Sequence, residues 1–318
     1  MVEIGYKLSS EEHGPRELVR LAARAEDTGF SFAAISDHIH PWIDEQGHSP
    51  FVWGVIGGIA EATSEIEILT GVTCPTVRIH PAIIAHAAAT AGVMLPGRFL
   101  LGLGSGENLN EHVLGDRWPE VAVRLEMLDE AVEVVRLLWE GGLKSHHGRH
   151  YTVENARLYD IPEEPPPVLI AASGASAVDL AGRIGDGLVS LAPVEGLLDR
   201  YDRAGGTGKP RYAEVTVCWG PDEEEAQRVA HRYWPVAAIK GQLSQELAVP
   251  SHFEQAAEMT RPEDVAATVA CGPDPEKHIA GAQQFIDAGY DHIWFHQVGP
   301  DQEGFFDFYA KEVLPQLR

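Results

Sequence analysis

Short apolar runs of strand length alternate with longer stretches of helical period along the whole 318-residue chain. Residues 4–6, 32–36, 66–72, 99–104, 168–172, 187–191, 213–219 and 292–297 read as eight strands. Residues 15–27, 50–63, 79–95, 118–139, 176–184, 222–234, 274–288 and 303–317 carry helical spacing. In the first of these helices Leu18, Leu21, Ala22 and Ala25 share one face. Parallel strands need a crossover, and a helix supplies it, so this order predicts a parallel sheet in an α/β fold. Eight such units predict closure into a (β/α)8 TIM barrel, with an open doubly wound sheet as the competing architecture. The strands are apolar almost throughout, as expected where helices cover one side and a barrel interior the other.

Two stretches exceed a bare barrel. Residues 141–167 are rich in His, Gly and Pro, with hairpin strands expected at 151–153 and 157–159. Residues 235–262 form a second insertion, expected to be helical. Neither reads as a separate unit, so the chain is expected to be one domain over 1–318. The formal net charge is −24, and so acidic a surface repels nucleic acid and anionic membranes. It serves solubility and also suits a saline interior. Three cysteines without CxxC spacing predict no disulfide framework and a reducing cytoplasm. The start, Met1-Val-Glu-Ile-Gly-Tyr, lacks the basic and apolar regions of a signal peptide. The most apolar stretch, 79–103, is broken by His80, Pro81, His86, Pro96 and Arg98 and makes a poor membrane span.

Barrels carry their chemistry at the C-terminal ends of the strands. Strand two ends Ser36-Asp37-His38-Ile39-His40-Pro41-Trp42, and strand three Gly71-Val72-Thr73-Cys74-Pro75-Thr76. Strand four ends Gly104-Ser105-Gly106-Glu107-Asn108-Leu109-Asn110, strand five Ala172-Ser173-Gly174, and strand eight His296-Gln297. His38 titrates near neutrality and is a candidate general base; a structural, hydrogen-bonded histidine is the plain alternative. Asp37 is placed to orient it or to touch substrate. Trp42 is either a pocket wall or a core aromatic. Glu107 follows a glycine run that lets a ligand approach the backbone, or it is a solvated turn residue. Asn110 is a candidate amide for the same ligand. Ala172-Ser173-Gly174 leads into a helix whose N-terminus suits an anion or is simply capped. His146, His147 and His150 read as surface residues, and His296 as a candidate pocket lining.

The set Ser-Asp-His-x-x-Pro-Trp, Gly-Val-x-x-Pro-Thr and Gly-x-Gly-Glu-x-Leu-Asn-Glu, in this order, resembles the coenzyme F-420-dependent dehydrogenases. The likeness is to their glucose-6-phosphate dehydrogenase-like group, of the bacterial-luciferase-like type, and it runs from Gly5 to about Leu317. It includes Pro15-Arg-Glu-Leu, Ala181-Gly-Arg-x-Gly-Asp-Gly and Phe295-His296. The resemblance implies a luciferase-like barrel, often a homodimer, that binds a deazaflavin and a small alcohol or sugar. It implies His38 as base, Trp42 as aromatic wall and Glu107 as proton donor near the ring. Asp37, Cys74, Ser105, Gly106 and Asn110 would lie beside the cofactor, with Ala172, Ser173 and Gly174 near its phosphate. Gly71–Val72 would be a non-proline cis peptide. The base would take the alcohol proton as hydride moves to the ring.

Substrate is where the pattern departs. Members that oxidise sugar phosphates hold the phosphate with cations near strand six and in the late insertion. Here strand six ends Leu191-Ala192-Pro193-Val194, and the paired later positions are Ser244 and Thr268. Lys240, Arg261 and Lys277 are the nearby cations, and Lys240 is a candidate substrate contact. Three other functions compete. An FMN-dependent luciferase-like monooxygenase would use similar pockets. A metal-dependent amidohydrolase would use His38-x-His40, although the later strands bring no further ligands. A deazaflavin carrier would bind without turnover.

Overall fold

The computed structural model describes residues 2–194, 196–239 and 241–317. The strands are β1 (Glu3–Leu8), β2 (Phe32–Ile35), β3 (Glu67–Thr70), β4 (Phe99–Leu103), β5 (Lys144–His147) and β6 (Thr152–Ala156). They continue as β7 (Val168–Ala171), β8 (Gly187–Ser190), β9 (Arg211–Cys218), β10 (Ala270–Cys271) and β11 (His292–Gln297). Eight of them pair in parallel in the order β9-β11-β1-β2-β3-β4-β7-β8, and β8 pairs back onto β9, which closes the barrel. The expected TIM barrel is therefore the fold, and the open sheet is excluded.

Side chains alternate across each strand. On β1, Ile4, Tyr6 and Leu8 face the helices and join the large outer core with Ile35, Ile68, Leu101 and Ile293. The barrel interior holds Phe32, Ala34, Leu69, Leu100, Leu169, Val189, Tyr212 and Trp294. Gly5 leaves room for the Phe32 ring, which a Cβ there would meet at 2.5 Å. Truncating one of these buried large side chains to Ala is expected to cost about 2–5 kcal/mol. A buried ion pair interrupts this apolar interior. Lys7, on the inward side of β1, is buried and faces Glu214 of β9.

The structure differs from the sequence expectation in three places. The hairpin pairs Lys144–His147 with Thr152–Ala156, while 157–159 is not a strand. Its turn is set by Glu130, whose carboxylate accepts from the N–H groups of Arg149, His150 and Tyr151. The same carboxylate contacts His146 at 3.1 Å, so His146 is packed against a helix instead of solvated. His150 is also largely covered, and only His147 is open to solvent as expected.

The second difference follows β9. The expected insertion 235–262 lies inside a longer excursion. β10 pairs with Val217 and Cys218 at the C-terminal end of β9. The chain has therefore returned to the top of the barrel by Ala270, and Pro275–Ala288 is the helix that leads down to β11. Helix Glu223–Tyr233 belongs to the excursion, which sits over the strand ends. The third is at the C-terminus, where the expected single closing helix is interrupted by a wider helical turn at Tyr309–Val313.

Candidate active site

Residues from several strand ends converge above the barrel. β2 stops at Ile35, and its continuation carries Asp37, His38 and Trp42. The His38 Nδ1 lies 2.9 Å from Glu11 Oε1, just beyond β1, and its Nε2 lies 3.6 Å from Glu107 Oε2, just beyond β4. The imidazole is thus held between two carboxylates, with Nε2 on the more open side. Glu107 is about one-third exposed, whereas Glu11 is almost wholly buried. The Trp42 indole stands edge-to-face against the imidazole, with ring centres 5.1 Å apart.

Two opposing effects act on His38. Burial favours the neutral ring, but the charges of Glu11 and Glu107 outweigh it and raise the pKa above the ordinary histidine value. Glu11 is held well below the usual carboxylate range. Burial opposes its charge, and His38, Lys7 and the Ser36 hydroxyl more than offset that. Ser9 and Ser36 both donate to Glu11 Oε2, at 3.1 and 2.7 Å. Glu11 is an acceptor there, and its charge beside Nδ1 favours the tautomer with the proton on Nδ1, which leaves Nε2 unprotonated on the open side.

Asp37 is turned the other way. Its Oδ2 accepts from Thr73 at 2.8 Å and its Oδ1 from Arg78 at 3.0 Å. Arg78 also contacts Glu111 at 3.5 Å, and all three charged side chains are buried. This network ties the ends of β2, β3 and β4 together, so Asp37 positions His38 through the backbone. Asn110 has a similar part. Its Oδ1 accepts from the N–H groups of Ile39 and His40 at 3.0 and 3.3 Å, and its Nδ2 donates to Glu107 at 3.4 Å. It fixes the His38 loop against the Glu107 loop.

The Gly71–Val72 peptide is cis, as the resemblance implied. Lys7 donates to the Gly71 carbonyl at 3.0 Å. Cys74 is buried, contacts the Thr76 hydroxyl at 3.0 Å, and has its thiol pushed up by burial and by Glu111. Gly106 has φ +82°, and a Cβ there would meet Cys74 Sγ at 2.6 Å. Ser105 and Gly106 are half-buried at the same mouth. Ala172 is buried, and Ser173 and Gly174 are exposed at the start of helix Ala175–Ile184. A Cβ at Gly174 would meet nothing within 4 Å, so the approach to that helix N-terminus is open.

His296 is fully buried, 3.0 Å from Glu12 and 3.9 Å from Glu214, and Trp234 stands edge-to-face on it at 4.5 Å. Its side chain is wholly covered, with Trp234 packed against it. Lys240 lies outside the described residues. His40 contacts the Leu109 carbonyl and stacks near His112, so it does not converge with His38 as a metal-binding pair would.

Sequence reasoning passed over Lys7, Glu11, Glu12, Arg78 and Glu214. The end of β1, Ser9-Ser10-Glu11-Glu12-His13, carried a signal, since paired acids beside hydroxyls at a barrel strand end suit a site. A lysine inside an apolar strand was a second, because a buried ammonium needs a partner. Arg78 and Glu214 gave none without the partners that the fold brings to them.

The arrangement fits a deazaflavin. Backbone glycines, an imidazole, two carboxylates and an indole gather at one mouth, and an open helix N-terminus lies beyond them. Comparison with known proteins gives the same direction. A family model described as luciferase-like monooxygenase matches residues 1–292. An F420-dependent glucose-6-phosphate dehydrogenase of Microbacterium testaceum is 37% identical over 100% of this chain and 98% of its own length. One from Nakamurella multipartita is 36% identical over 100% and 97%. Among solved structures, an F420-dependent secondary alcohol dehydrogenase in complex with an F420-acetone adduct superposes with a TM-score of 0.91. It is 29% identical and covers 100% of this chain and 99% of that one. The chain belongs to the luciferase-like family and, within it, to the coenzyme F-420-dependent dehydrogenases.

Proposed function

We propose that this chain oxidises the carbinol of a small alcohol or sugar, or reduces the matching carbonyl, with His38 as base and Glu107 as the second proton site. The observation that carries the proposal is the imidazole held between Glu11 and Glu107 beside Trp42. The deazaflavin would lie against Gly71–Val72, Ser105 and Gly106, with its phosphate toward Ser173, Gly174 and the helix start. Bound there, the oxidised cofactor supplies the acceptor for a hydride and its two electrons. His38 Nε2 takes the hydroxyl proton, and Glu11 stabilises the imidazolium that results. Trp42 excludes water from that side, and Glu107 is the carboxyl on the open face, 3.6 Å from His38 Nε2, through which a proton would pass. A sugar phosphate is one substrate that the names of the relatives suggest.

A homodimer is part of the same reading. Helix Pro81–Met94 has no Asp, Glu, Lys or Arg in a chain of net charge −24, and it exposes Ile83, Val93 and Met94. Phe51, at the start of helix Val52–Ala62, is exposed on the preceding element. Sedimentation of the purified protein reads the assembly.

The test of function is a fluorescence titration with coenzyme F-420 and, separately, FMN, on the wild type and His38→Ala. Binding of F-420 alone by both, with turnover in the variant lower by about 10²–10⁴-fold, is expected. Binding of FMN alone, or of neither, refutes the proposal and favours a monooxygenase or another function. Binding without any turnover in the wild type leaves a carrier.

A further inference from the structure

We infer that the substrate side of His38 takes an uncharged alcohol or ketone with an apolar flank, and not a phosphomonoester; this rests on the dehydrogenase reading above. Two independent observations carry it.

The first is charge. Among the described residues, the cations buried at the strand ends each already face a carboxylate, with Arg124 Nε a buried donor among them that has no hydrogen-bond partner. Lys7 faces the Gly71 carbonyl and Glu214, and Arg78 faces Asp37 and Glu111. Arg124 donates to the Pro119 carbonyl and to Gln245, and lies 3.6 Å from Glu246. Around His38 and His296 stand the carboxylates of Glu11, Glu12, Glu107 and Glu214. A phosphate dianion is bound by cations and donors that are free to meet it. Here it would enter a field set by carboxylates.

The second is the wall. Trp42 packs edge-to-face on Phe253 at 5.2 Å and stands 6.5 Å from Trp234. Val236, Ile239 and Leu247, from the excursion after β9, join Trp42 over Ile43, Leu109 and Phe253. Trp42, Trp234, Val236, Ile239 and Leu247 are only partly buried. Half-covered apolar surface beside a general base gains from an apolar group that displaces water. It offers nothing to the hydroxyl-rich face of a hexose phosphate.

The experiment uses the wild type saturated with F-420. The value of kcat/KM is measured for propan-2-ol, butan-2-ol, pentan-2-ol and hexan-2-ol, and for glucose and glucose 6-phosphate. The expected result is a rise of roughly fourfold per added methylene over the first members. Trp234→Ala should flatten that rise. Glucose 6-phosphate should be at least about 100-fold poorer than the best alcohol, a gap of ~2.7 kcal/mol. The inference is overturned if glucose 6-phosphate comes within about 100-fold of the best alcohol, or if the alcohol series is flat. It is also overturned if the enzyme binds F-420 and oxidises no neutral alcohol. Failure to bind F-420 at all removes the parent reading, so the two failures are distinct.

Discussion

Glu11→Gln isolates what the buried carboxylate does for His38. Glutamine keeps the shape and one oxygen for the hydroxyls of Ser9 and Ser36, but it removes the charge 2.9 Å from His38 Nδ1. A charge-assisted contact of this kind, once aligned, contributes about 1.5–3 kcal/mol. If that interaction is made as the imidazolium forms, its loss lowers kcat/KM for alcohol oxidation roughly 10- to 150-fold. A second readout separates this from a packing defect. Glu11 raises the pKa of His38, so its removal lowers it. Oxidation needs the neutral imidazole, so activity rises with pH through that pKa, and the rising limb should move to lower pH in the variant. The assay is F-420 reduction across pH, with F-420 affinity and urea unfolding measured in parallel. Unchanged kcat/KM, or a limb that moves to higher pH, would refute the reasoning.

Lys7→Met tests the opposite sign. The Lys7 charge holds the His38 pKa down, so its loss should move the same limb to higher pH. It also strips Glu214 of an ion-pair partner in the barrel interior, which should destabilise the fold by about 3–5 kcal/mol by urea titration. Glu214 is held below its ordinary pKa, with burial outweighed by Lys7, His296 and the Trp294 indole. Its contribution to stability is therefore present above the usual carboxylate pKa and fades as the pH falls through the lowered value. That dependence should weaken in the variant. Gly106→Ala and Gly115→Ala form a matched pair. Both glycines have positive φ, but only at Gly106 does a Cβ meet other atoms. Both variants should lose about 1 kcal/mol or more, while only Gly106→Ala should also weaken F-420 binding by displacing the Glu107 loop. Equal F-420 affinity in the two would remove Gly106 from the site.

The barrel was legible because its signal is periodic and local. Apolar runs of strand length, separated by helical spacing, leave little besides a parallel sheet, and eight of them can close. The loop carrying His38 and Trp42 and the loop carrying Glu107 and Asn110 were also visible, since a barrel puts its chemistry at strand ends. The hairpin was misread because its turn is held by Glu130, a residue of another element. Helix Glu223–Tyr233 looked like a barrel helix because local spacing cannot tell a helix that descends from one that stays on top. That distinction depends on the β9–β10 pairing, which joins Cys218 to Cys271 across the whole excursion.

For the site, sequence determined which groups were available and tertiary structure decided which of them meet. His38 was nameable as a candidate base from its type and position. That Glu11 faces it, that Asp37 is consumed by Thr73 and Arg78, and that Asn110 clamps a backbone are consequences of closure. Closure brings the ends of β1, β2, β3 and β4 within a few ångströms although they are far apart in the chain. Charge and hydrogen bonding act over those few ångströms, so residue type sets what chemistry is open to the chain, and only the folded distances set which of it is used.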